Sequence, residues 1–156
     1  MTLTTLAIHA EVWLQEELGA QRTLLDVLGR IEAAARTGTG PELARAGEEL
    51  EGALAGTGAR DGRRGALLAR LAAVLGLSAG GVTLSQLSAR LSGEGIDTTR
   101  LERMRAELRE LVASVLRASR RTAALAQYHR GFFEELCRIL RLGAPSSEGH
   151  LVDARA

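Results

Sequence analysis

Three histidines, His9, His129 and His150, come first among the side chains that could carry chemistry, since imidazole titrates near neutral pH, ligates metals and accepts phosphoryl groups. A metal site on a helix needs a second ligand three or four residues along the same face. His9 and His129 have no histidine or carboxylate following at that spacing, and His150 falls in a polar stretch near the end of the chain. His129 sits one heptad after Thr122 on an apolar stripe, which suits a polar core pair that fixes helix register. The sharper alternative is a phosphorylatable histidine in a helical phosphotransfer bundle. That chemistry expects a lysine close behind the histidine, and the chain has no lysine: all 20 of its basic residues are arginine.

Other constellations offer less. Cys137 is the only cysteine, so no internal disulfide can form and no thiolate set for zinc exists. Glu16-Glu17, Glu48-Glu49 and Glu134-Glu135 are neighbouring carboxylates, but adjacent residues on a helix diverge by about 100° and cannot flank one bond. The glycines at 56, 58, 62 and 65 lack the preceding strand that a phosphate-cradling loop requires, and no nucleophile-elbow or dinucleotide motif occurs. These residues imply a protein with no reaction, cofactor or metal of its own, one that acts by binding another protein.

The elements that would position a binding surface are helices. Hydrophobic residues make up 46% of the chain but aromatics only 3%, so the apolar mass is leucine, alanine and valine, the material of helix bundles. From Leu3 to Arg36, Leu3, Ala7, Ala10, Leu14, Leu24 or Leu25, Leu28, Ile31 and Ala35 recur at helical spacing, interrupted by Glu17 and Gln21. Residues 37–40 end this helix, and Pro41 suits the first turn of the next. Leu43, Ala46, Leu50 and Leu54 form a second stripe, followed by the glycine-rich 56–62 and then Leu67, Leu68, Leu71, Val74 and Leu75. Two helices or one long frayed helix both fit this pattern. Thr83 to Gln86 reads as a capping box for a short helix ending near Leu91, and Thr99 to Glu102 as a second box.

Behind that second box runs the most regular pattern in the chain. Leu101, Met104, Leu108, Leu111, Val115, Ala118, Thr122, Leu125, His129, Phe132, Leu136 and Ile139 keep a seven-residue repeat, which Gly143 and Pro145 end. A helix of about forty residues is ~60 Å long. The expected fold is all-α: an elongated antiparallel helical bundle or coiled coil of three long segments plus one short helix, with the first and last long helices parallel. Residues 1–143 would form one domain and 144–156 a flexible polar tail. If the long helices start level, the last overhangs the first by about two turns, leaving part of the band Phe132, Phe133, Leu136, Ile139, Leu140 and Leu142 uncovered. The alternative is that this band simply completes the core.

A formal charge of +1, from 20 basic and 19 acidic residues, argues against a polyanionic partner such as nucleic acid. Arginines crowd the last third while acids dominate from Glu11 to Glu51, a split that suits complementary faces of one bundle. The opening residues lack the basic region of a signal peptide, and Ala66 to Val82 is interrupted by Arg70 and by the glycines at 76, 80 and 81. That stretch falls short of the ~20 residues a spanning helix needs, so a cytoplasmic protein without stable membrane insertion is expected.

Glu16-Glu17-Leu18 in the first helix, Pro41-Glu42-Leu43 after the turn, Arg63-Arg64 with Leu67, Leu68 and Leu75-Gly76-Leu77, then Thr83, Leu84 and Leu87 and the Leu-Arg-Glu-Leu run at 108–111 form one series along the chain. With these motifs the chain resembles the FlgN-type flagellar export chaperones from about residue 10 to 142. Two asparagines three apart before a leucine are typical of the family's last helix; here Ser119 and Thr122 stand before Leu125, so the amides are missing. The glycine-rich middle also departs from the family pattern. The resemblance implies a cytoplasmic chaperone that keeps hook-associated proteins, those of the hook–filament junction, soluble for type III export. It implies client contacts centred on the C-terminal helix, for which the residues named are Leu125, Phe132, Phe133, Leu136 and Leu140, with arginines nearby to meet acidic groups on the client. Contact with the export gate or the export ATPase is left open, as is the rival reading of a generic coiled-coil adaptor or oligomerisation protein.

Overall fold

In the computed structural model, which describes residues 2–37, 39–78 and 82–143 and, at 132, 133, 135–137 and 139–143, the backbone alone, every regular element is helical. In chain order these are α1 (Leu3–Thr37), α2 (Gly40–Leu54), α3 (Thr57–Leu75), α4 (Leu84–Gly93) and α5 (Thr99–Gly143). The tail assigned to 144–156 lies outside the described residues.

Local chemistry sets the boundaries. At the first turn the Thr39 N–H donates to the Glu42 carboxylate at 2.7 Å, and Pro41 occupies the first turn of α2, where an N–H would find no helical acceptor. α2 and α3 are nearly continuous, since only Ala55 and Gly56 separate them and both keep right-handed backbone angles. The glycine-rich 57–62 is therefore helical. α3 stops where Gly76 turns to φ 68, a conformation that costs other residues steric energy, and the Leu77 N–H then reaches back to the Ala72 carbonyl at 3.0 Å. Gly95, at φ 72, ends α4 in the same way, with the Ile96 N–H on the Leu91 carbonyl. The Thr83–Gln86 box opens α4 as its sequence suggests, Thr83 N–H donating to Gln86 Oε1 at 2.8 Å. The start of α5 differs from the expected Thr99–Glu102 box. There Asp97 accepts from the Thr99 N–H at 2.9 Å, and the first helical bond runs from Glu102 N–H to the Thr98 carbonyl.

α1 is the central element, with α5, α2, α3 and α4 each packed on it. Ion pairs give the directions. Arg30 meets Glu49 and Arg63 meets Glu16, so α2 and α3 run antiparallel to α1. Arg100 meets Glu11 and Arg121 meets Glu32, both 89 residues apart, so α5 runs parallel to α1 in constant register. The main core gathers Leu6, Ala10, Trp13, Leu14 and Leu18 of α1 with Leu67, Leu71 and Ala72 of α3, Leu87 and Leu91 of α4, and Leu101 and Met104 of α5. Two smaller clusters continue along α1: Val27 and Ile31 with Ala46 of α2 on one side, Leu28 with Val115 and Ala118 of α5 on the other.

The buried line of α1 is broader than the stripe its spacing suggests. Leu6, Trp13, Leu18 and Val27 are buried in addition, because a helix flanked on several sides hides more than one seam. Glu17, which interrupts the stripe, is held by a half-buried partner. Its carboxylate accepts from Arg60 Nε at 3.0 Å and from Gln21 Nε2 at 2.6 Å, while Trp13 Nε1–H donates to the Arg60 carbonyl at 3.3 Å. Both members of the Glu17–Arg60 pair are only 15% exposed, and the cluster ties the first turn of α3 to α1. Packing, rather than propensity, keeps this glycine-rich segment helical. Among the described residues no helix is long and apolar enough to cross a membrane.

Candidate functional site

The C-terminal helix is the element to which the sequence assigns binding, and its register on α1 decides what it leaves uncovered. Arg100, Arg121 and Glu107 pin its first six turns, Glu107 through an ion pair to Arg22. Leu101, Met104, Val115 and Ala118 are buried along this length, as their heptad positions suggest. Thr122 is the first departure. Its Oγ1 is buried and has no hydrogen-bond partner, so it does not form a polar pair with His129.

His129 turns instead to the end of α1. Its Nε2 lies 2.9 Å from the carbonyl oxygen of Ala35, one of the last four carbonyls of that helix, which have no partner within it. A ring N–H donated here caps the C-terminus of α1. Tyr128 packs its ring edge-on to the imidazole, with centroids 5.8 Å apart, yet is itself 70% exposed.

Beyond this point α5 outruns its companion. The offset of 89 places Thr37, the last residue of α1, opposite Ala126, and the reach of His129 back to Ala35 sets an outer limit near residue 131. α5 continues to Gly143. The overhang is therefore roughly 12 to 17 residues, or about three to five turns, rather than two. The helices do not start level, because α5 begins opposite Ala10 of α1. α2 starts at Gly40, directly after the turn at the end of α1, so among the described residues no other element accompanies this length.

Leu125, half-buried, stands at the edge of the overhang, and Tyr128 follows within a turn. The backbone positions of Phe132, Phe133, Leu136 and Leu140 lie on the overhang itself, while their side chains are outside the described residues. Leu116, 53% exposed, adds an apolar residue farther down the outer face of α5. Among the described residues no group of three or more histidine, cysteine, aspartate or glutamate side chains could hold a metal ion.

The Glu17–Arg60–Trp13 cluster escaped recognition as a cross-link in the sequence, although the polar break at Glu17 and Gln21 was its trace. No protein-family model, curated protein or solved structure matches the chain.

Proposed function

We propose that this chain is a cytoplasmic export chaperone of the FlgN type, which binds hook-associated flagellar proteins and holds them soluble for type III export. The observation that supports this reading is the overhang: α5 runs past the end of α1 with no other element beside it among the described residues, and the sequence of that length is Phe132-Phe133 followed by Leu136, Ile139, Leu140 and Leu142. A helix with this much apolar content gains by laying it against another helix, and export clients supply exposed amphipathic ends that need cover. Burial of one large side chain against a client contributes about 1.5–3 kcal/mol, and because association itself is costly, holding needs several such contacts together.

Co-purification tests it. Phe132→Ala with Phe133→Ala should weaken capture of a hook-associated protein while leaving the helical circular dichroism intact. Undiminished capture by this variant contradicts the assignment of the site, and loss of the fold would place both rings in the core.

A further inference from the structure

A second surface lies at the opposite end of the bundle. α3 and α5 each pack on α1 but scarcely on one another, which leaves a gap between them with α1 as its floor. Near the base α4 fills that gap, its Leu87 and Leu91 buried against Leu6, Leu71 and Leu101. Above the first turn of α4 the gap stays open as a groove of about 420 Å³. Trp13 and Leu14 form its floor, Leu68 one wall, and Leu108 and Val112 the other. The open length thus continues, with the same kind of lining, a channel that already holds one helix.

Its charge is one-sided. Arg64 on the α3 rim and Arg109 on the α5 rim are exposed, and neither makes an ion pair among the described residues. Arg105 is tied to Glu102 and Ser85, and Glu17 to Arg60. Asp61 alone stands against the two unpaired guanidinium groups.

We propose that this groove seats one amphipathic helix of a partner protein, end to end with α4 in the same channel, its leucine-type stripe on Trp13 and Leu14 and acidic residues along its flanks facing Arg64 and Arg109. α4 shows the pattern such a helix needs: Leu84, Leu87 and Leu91 at helical spacing face the core, and Ser85, Gln86 and Arg90 face out. The proposal does not depend on the export reading, since the groove lies along residues 105–112 of α5, well short of the overhang.

Trp13 is the only tryptophan and lines this groove, so its emission reports a helix seated there, while cross-links separate this site from the hollow beside His9 and Arg70 that Trp13 also borders. The probes are two synthetic peptides of about 18 residues, or five turns, with one leucine stripe and either glutamate or lysine flanks. Titrated into the full-length protein at low salt, the glutamate peptide should shift Trp13 emission and bind at least about tenfold tighter than the lysine peptide. Arg64→Glu with Arg109→Glu should reverse that preference with unchanged circular dichroism, since both residues are exposed. A photo-cross-linker in the peptide should mark residues 64–68 and 105–112. A silent Trp13, a preference unmoved by the double reversal, or cross-links beyond residue 126 would each overturn the proposal. So would a dimer that the double reversal converts to monomer, because the occupant would then be a second copy of the chain.

Discussion

At the base of the molecule four helices close over Leu6, Leu14, Leu71, Leu87 and Leu101, each no more than 2% exposed, whereas past Ala126 α5 continues with no described element beside it. Between these extremes α1 carries α2 and α5 on separate sides, with three-residue clusters where the base has thirteen buried residues. The base fixes the fold because its five leucines are satisfied internally; the far end of α5, with no described element beside it, is where the proposed client would be laid.

The largest effect that would sharpen this contrast is cavity formation. Leu71→Ala or Leu87→Ala, both 0% exposed, should cost about 2–5 kcal/mol in urea unfolding. Leu116→Ala and Tyr128→Ala, 53% and 70% exposed, should fall within about 0.5 kcal/mol of the parent. Equal losses at both sets would break the distinction between the closed base and the exposed face of α5.

Next is the Glu17–Arg60 pair. Because both partners are 15% exposed, Arg60→Met leaves a half-buried carboxylate without its cation and should cost roughly 1–3 kcal/mol. Replacing both partners by apolar residues should recover most of that loss, and a double-mutant cycle with Glu17→Met measures how much.

His129→Ala should cost about 1 kcal/mol by freeing the Ala35 carbonyl at the end of α1. Thr122→Val, by contrast, removes a buried hydroxyl that bonds nothing and should be neutral or slightly stabilising. A loss at Thr122 and none at His129 would reassign the polar anchor of the coil.

The smallest effect is at Asp97. Hydrogen bonds from the Thr99 side chain and then from its backbone N–H hold the Asp97 carboxyl below its ordinary 3.8. The folded state thus binds its proton less readily than the unfolded chain, so the contribution is present above the unfolded value and fades as pH falls through the folded one. Asp97→Asn should lower stability slightly at neutral pH, where that contribution is present, and flatten the acid limb of the stability–pH curve, so that the difference from the parent disappears in acid. An unaltered acid limb would remove Asp97 from the start of α5.

Much of this architecture is legible in the residues. The heptads of α5 as far as Ala118, the first stripe of α1, the Thr83 box and the parallel relation of first and last helices follow from periodicity and connectivity, which are local or nearly so. What was not legible depends on long-range pairing. The register of α5 on α1 comes from Glu11–Arg100 and Glu32–Arg121, and arginines so numerous cannot be matched to partners from spacing alone. That register lengthened the overhang. The helical state of 57–62, poor in propensity, comes from Arg60 and Trp13 meeting across the bundle. The groove beside α3 was invisible because it arises from a gap between helices rather than from any one helix. Of the five client-contact residues named from sequence, Leu125 stands at the edge of the overhang, and the other four are placed there by backbone position.

Amide hydrogen exchange along α5, with and without a hook-associated protein, tests the division of labour most directly. Added client should slow exchange over residues 130–143 while leaving 101–118, buried against α1, as it was. Unchanged exchange over 130–143 in a complex that forms would show that the end of α5 beyond α1 is not where the client sits.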